Sequence, residues 1–311
     1  MKIYTKNTID LAEKVMKLIQ GYSRTLENEC NHHGFSNCFR FHLDKISSLI
    51  DNQLPITCVL PAFPAKSPNI DKTAGTLPDM GERLALRFLN NLCINIKSFY
   101  EPGAEVIICS DGRVFNDLIQ VKDDDVDQYS NEIITIIEKD KLTNIRIFSL
   151  DDLYLNFNYV LMRETLVKEY GECMENIKLN ILNDSYALAL FNGIHRFIFE
   201  DNMNILLDLS KNKIRDISKI IAYQVIQRSN AWSNYLEIKF PDAVRLSIHP
   251  QSCGSKKLGI MLLACDNIWA TPWHRIAVLQ GEKHVLMKRV EAEKIGAKPV
   301  YINDRFSHYA I

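Results

Sequence analysis

Apolar residues recur along this chain in two rhythms, and the switch between them outlines the fold. Leu11, Val15, Leu18 and Tyr22 repeat at helical spacing within residues 8–29, which predicts an amphipathic helix. A second helix over about 38–50 completes an N-terminal helical cap, residues 1–50. The rhythm then changes to short continuous apolar runs, ITCVL at 56–60, EVIIC at 105–109 and IRIF at 145–148, each the length of a buried strand. Between them lie helical stripes, Leu84, Phe88, Leu92 and Ile96, then Val126, Tyr129, Ile133 and Ile137. Ahead of the first stripe, Thr76 is placed to cap the helix, with Pro78 in its first turn and Asp79 completing a capping box.

Strand–helix–strand–helix–strand over 55–152 predicts right-handed crossovers and a parallel, partial Rossmann-like sheet. Residues 153–236 read as wholly helical, with stripes Tyr186, Leu190, Ile194, Phe197 and Ile214, Ile217, Ile221, Val225, and are expected to form a helical insertion. A β-rich C-terminal part follows over 243–311, with strands at 243–248 and 259–263 and a hairpin over 275–287 that turns at 280–283. The expected architecture is one α/β domain.

Composition changes this picture little. The 311 residues are 47% hydrophobic and 24% charged, with a formal net charge of −1. That is a globular composition with no electrostatic footprint for nucleic acid. No apolar run is long enough to span a bilayer, and the N-terminus lacks the apolar core of a signal peptide, so a cytoplasmic location is expected. The eight cysteines are read as reduced thiols. Cys30, His32, His33 and Cys38 cluster without a tight Cys-x-x-Cys pair and are read as an interhelical loop, with zinc as the alternative.

Candidate chemistry sits where the predicted strands end, which is where open parallel sheets bind ligands. The first strand runs into FPAKSPN (63–69), which brings Lys66, Ser67 and Asn69 together. A lysine there can hold a phosphate or form a Schiff base; the alternative is a proline-stiffened surface loop. The second runs into SDGRVFND (110–117), where Arg113 offers a fork for carboxylate or phosphate, and Asp111 and Asp117 can accept from an amine. There the alternative is an Asp–Gly turn with a surface ion pair. His249 and Gln251 follow the strand at 243–248, and Trp273, His274 and Arg275 open the hairpin; the two histidines are natural proton carriers. P-loop, dinucleotide-binding, serine-elbow and zinc-protease motifs are absent from the sequence. The carboxylates near the strand ends permit a divalent metal, but none is assigned.

In this order, LPAFPAKSPN (60–69) with LPDMGER (77–83), SDGRVFND (110–117), IHPQ (248–251) and TPWH (271–274) resemble the pyoverdine/dityrosine biosynthesis family. The resemblance implies an α/β fold and an isocyanide (isonitrile) synthase, without a cofactor. Such an enzyme joins the α-amine of tyrosine or tryptophan to C2 of ribulose 5-phosphate, as co-substrate, and a partner oxygenase takes the product onward. An N-formyl-amino-acid synthase and a non-catalytic sugar-phosphate-binding protein are the alternatives. On this reading Lys66 and Arg275 hold the sugar phosphate, with Lys66 also a candidate acid. Arg113 binds the carboxylate or the phosphate, His249 and His274 move protons, and Asp111 and Asp117 orient or deprotonate the amine. Ser67, Asn69, Gln251 and Trp273 complete the binding set. Lys66→Ala is expected to remove activity and leave the thermal midpoint nearly intact.

Overall fold

The computed structural model describes residues 4–25 and 38–311. Two helices lead, α1 (Lys6–Gln20) and α2 (Arg40–Asp51). Strand β1 (Ile56–Pro61), helix α3 (Met80–Lys97), strand β2 (Ala104–Ser110), helix α4 (Asp123–Lys139) and strand β3 (Ile145–Ser149) follow as the apolar runs predict. After a single helical turn, Leu150–Leu153, come four longer helices: α5 (Tyr159–Tyr170), α6 (Met174–Asn183), α7 (Ser185–Ile205) and α8 (Lys211–Lys239). Then come β4 (Val244–Ser247), β5 (Leu258–Gly259), β6 (Ile276–Gln280), β7 (Lys283–Met287), α9 (Arg289–Lys294), β8 (Lys298–Ile302) and β9 (Arg305–Ala310). Cys38 is disulfide-bonded, which corrects the reduced reading at that position; a pairing is set by Cβ geometry that sequence spacing does not reveal. The rest of the Cys/His cluster lies outside the described residues. Among the described residues, no helix is long and apolar enough to cross a membrane.

The first sheet is parallel throughout, in the order β3-β2-β1-β4-β5. The C-terminal part is therefore divided. β4 and β5 extend the parallel sheet, while β6 to β9 form a second sheet, β7-β6-β9-β8. The 259–263 strand shrinks to β5, because the chain then turns to bond α1's trailing segment: Met261 N–H donates to the Tyr22 carbonyl at 2.8 Å.

Side chains alternate across a strand, so each face of the parallel sheet needs its own cover. Cys58 and Leu60 of β1, with Val106 and Ile108 of β2, join one core with α1 to α4. Val59, Ile107 and Cys109 join the other, built from α5 to α8 around Met162, Leu166, Ile194 and Trp232. The region expected to be an insertion is thus the second helical layer, without which one sheet face would lie bare. Helix α3 is capped by Asp79, whose Oδ1 accepts from Gly81 N–H at 2.7 Å while Glu82 accepts from Asp79 N–H at 3.0 Å. The predicted cap at Thr76 is three residues early, because Asp79 and Glu82 already hold the reciprocal box spacing.

The two loops at the ends of β1 and β2 touch through backbone. A Cβ built on Gly112 would lie 1.9 Å from the Pro64 carbonyl oxygen. Ser110 Oγ also donates to the Phe63 carbonyl at 3.1 Å, and Phe63 sits at φ 58, a strained conformation for a non-glycine residue. Gly112→Ala is expected to cost roughly 3 kcal/mol or more, at the upper end of single-residue losses, because neither backbone can retreat. Chemical denaturation measures it, and a loss under about 1 kcal/mol would contradict the contact.

Candidate active site

The loop after β1 folds into the protein rather than over its surface. Lys66 is buried, and its Nζ lies 2.8 Å from Asp79 Oδ2 and 2.8 Å from Glu82 Oε2. It also donates to the carbonyls of Pro272 (3.0 Å) and Arg275 (3.3 Å). Burial works against its charge, but the two carboxylates outweigh that and hold the ammonium above the ordinary lysine range. Burial pushes Glu82 up to about 7 despite the lysine, and Tyr129 donates to its other oxygen at 3.3 Å. Lys66 is therefore a cross-link between α3 and the turn before β6. It has no donor left for a phosphate and no free amine for a Schiff base.

Ser67 and Asn69 are likewise engaged, donating to Asp201 on α7 at 3.1 Å each. A second lysine of this loop, Lys72, is equally buried and paired with Asp201 (2.7 Å) and Glu200 (3.2 Å), and it lines the cavity described below. The loop after β2 is also structural. Arg113 pairs with Asp123 (2.7 Å) and Asp127, and its guanidinium sits 3.7 Å over the Tyr159 ring. Asp117 pairs with Arg228 on α8 at 2.6 Å. The Asp123 and Asp127 pairs tie the loop to α4, while Tyr159 and Arg228 dock the second helical layer onto it, which consumes the charges expected to bind substrate. Asp111 is half-buried, with Oδ1 unpartnered, and burial raises its carboxyl to about 7. It does not reach the cavity described next. Gln251 is held by Tyr186 Oη (2.6 Å) and Ser255 Oγ (2.9 Å), and Trp273 is packed on Phe63 in the core, ring centroids 5.3 Å apart.

His249, His274 and Arg275 do meet. They line a cavity of about 670 Å³ between the end of β4, the turn Pro272–His274 and helix α7. A smaller hollow of about 200 Å³ beside α1 holds neither histidine. Arg24, buried, ties the cavity's floor together by donating to the Ile248 (3.0 Å) and Ala270 (2.8 Å) carbonyls. Burial, then the charges of Lys257 and Arg24, lowers His249 to about 4. Burial, then Lys72 and Arg275, holds His274 well below the ordinary histidine value. Both rings are thus neutral at neutral pH, weak bases that hold a proton only transiently. His274 Nδ1 lies 3.2 Å from Thr271 Oγ1, and its ring lies 4.8 Å from that of Phe197.

The cavity adds residues that the sequence reading passed over: Lys72, Arg196, Glu200, Trp269, Lys288 and Glu291. Lys288 pairs with Glu200 at 3.1 Å, so that carboxylate is shared between two lysines. Arg275 donates to the His274 carbonyl at 2.8 Å and, like Arg196, has no carboxylate partner among the described residues. Four cations and two carboxylates line this one cavity. Such a site can bind anionic ligands with planar forks and move protons through neutral imidazoles.

Comparison with known proteins shows the family. Residues 46–299 match the pyoverdine/dityrosine biosynthesis protein family. The chain is 42% identical to the L-tryptophan isonitrile synthase AmbI2 of Fischerella ambigua, over 96% of this chain and 92% of that protein. It is 42% identical to an L-tyrosine isonitrile synthase of Pseudomonas aeruginosa, over 86% of this chain and 83% of that one. The crystal structure of PvcA from Pseudomonas aeruginosa superposes with a TM-score of 0.92 at 39% identity, covering 97% of this chain and 99% of that one. The chain belongs to the pyoverdine/dityrosine biosynthesis family.

Proposed function

We propose that the chain is an isonitrile synthase that converts the α-amine of tyrosine or tryptophan to an isonitrile, with ribulose 5-phosphate as the carbon source. The observation that carries this reading is the pairing of two arginines lacking carboxylate partners with two neutral histidines in one cavity. The substrates bring two anionic groups, a carboxylate and a phosphate, and Arg196 and Arg275 match that number. Lys72 and Lys288 add positive charge on the same side. Amine attack on the C2 ketone expels water and forms an imine, and breaking the flanking carbon bonds needs further proton transfers. His249 and His274 supply acceptors for those protons. The names of the relatives support an aromatic amino acid as substrate. The phosphate and carboxylate roles expected of Lys66 and Arg113 pass to these cavity cations. An oxygenase as consumer of the product rests on the family resemblance.

The test is incubation of the pure chain with tyrosine or tryptophan and ribulose 5-phosphate carrying carbon-13 at C2. The label is expected in an isonitrile of the amino acid. Label absent from the product of both amino acids would overturn the reading. A product one water heavier would place the chain with the N-formyl synthases instead.

A further inference from the structure

Trp269 stands on a footing the proposed function leaves unexplained. Its loop crosses α7 at Gly193, where a Cβ would lie 3.3 Å from Trp269 Cε3, 3.5 Å from Cζ3 and 3.6 Å from Cδ2. Three ring carbons at similar distances mean that the indole lies flat over the missing side chain. Glycine inside a 21-residue helix is costly, so its presence calls for a reason. Gly193 has no positive φ, so backbone conformation is not that reason; the close approach is. Gly193 and Phe197 are four residues apart and share a helix face. At that face Trp269 sits 5.9 Å from the His249 ring, and Phe197 of α7 sits 4.8 Å from the His274 ring.

We propose that Trp269 is the specificity-determining wall that receives the aromatic ring of the amino-acid substrate, and that Gly193 is the positioning residue that sets its depth. The inference rests on the assignment of this cavity to an aromatic amino acid. Offset or tilted ring contacts at about 4.5–7 Å favour an aromatic guest over an aliphatic one of similar volume. An alanine at 193 forces the indole to shift by a few tenths of an ångström, towards the space such a guest would fill.

Calorimetric titration of L-tryptophan, L-tyrosine, L-leucine and ribulose 5-phosphate tests this in the wild type, Trp269→Leu, Trp269→Phe and Gly193→Ala. Trp269→Leu is expected to weaken both aromatic amino acids about tenfold, and Trp269→Phe to restore most of that loss. Gly193→Ala should weaken them about threefold while its thermal midpoint holds or rises, since alanine favours the helix. Ribulose 5-phosphate affinity should stay within about twofold in every variant, and leucine should bind weakly throughout. A merely structural role would move sugar and amino-acid affinities together, which would overturn the proposal. So would aromatic affinities that ignore both positions, or a wild type that binds neither aromatic acid. If the aromatic acids bind with this pattern but no isonitrile forms, the wall stands and the proposed reaction falls.

Discussion

Lys66→Ala is expected to destabilise the folded chain by about 3–5 kcal/mol, the cost of leaving buried carboxylates without their cation. Asp79 and Glu82 would lose an ammonium at 2.8 Å from each, inside the protein. The loss should also depend on pH. Glu82 is already raised to about 7 by burial, and removing Lys66 takes away a charge that holds it down. The variant's folded state then keeps the Glu82 proton to higher pH than the wild type does. A folded state that binds the extra proton loses stability, relative to wild type, as pH rises. Denaturant titrations should therefore show a larger deficit at about pH 8 than at about pH 5. A deficit below about 1 kcal/mol at both would mean that Lys66 is not the cross-link described here. This outcome reverses the expectation that the substitution would leave stability nearly intact.

The second large effect is on rate. His274→Gln should lower kcat by about 10²–10⁴, the usual worth of a positioned acid–base group, with a thermal midpoint close to wild type. Glutamine keeps much of the volume and can still bond Thr271, so folding losses should be confined to the Phe197 ring contact. Burial beside Lys72 and Arg275 keeps His274 neutral to pH values well below 6.5. The acid limb of the pH–kcat/KM profile should consequently lie well below 6.5. A limb at or above that value, or a loss of less than about fivefold in His274→Gln, would remove His274 from the chemistry.

The sheet was legible because buried parallel strands read as unbroken apolar runs, as at 56–60, 105–109 and 145–148. The second helical layer was legible as helices but not as a layer, since which sheet face a helix covers is a tertiary fact. Of the cavity lining, part was legible. His249, His274 and Arg275 follow or precede short apolar runs, and they meet. Lys66 and Arg113 occupy equally telling positions in sequence, yet Asp79, Glu82, Asp123 and Asp127 from other elements take their charges. No spacing rule exposes such long-range pairing. Lys72 lies six residues beyond Lys66, outside the polar run that ends the first strand. Arg196 and Glu200 read as a solvated helix face, because a polar cavity and open water select the same residue types. The apolar face of α7 is Ala187, Phe191, Ile194 and Ile198, about one residue out of phase with the predicted stripe, and Phe197 turns to the cavity instead. The polar stripe beside Gly193 was the available signal.

Substrates are expected to meet between α7 and the end of β4, and a crystal structure of the chain with bound ribulose 5-phosphate checks this placement. The sugar phosphate should lie within hydrogen-bond distance, about 3 Å, of Arg196 or Arg275, with its C2 facing His274 or His249. Phosphate density beside Arg113, in the 63–69 loop, or in the hollow beside α1, with this cavity empty, would overturn that placement.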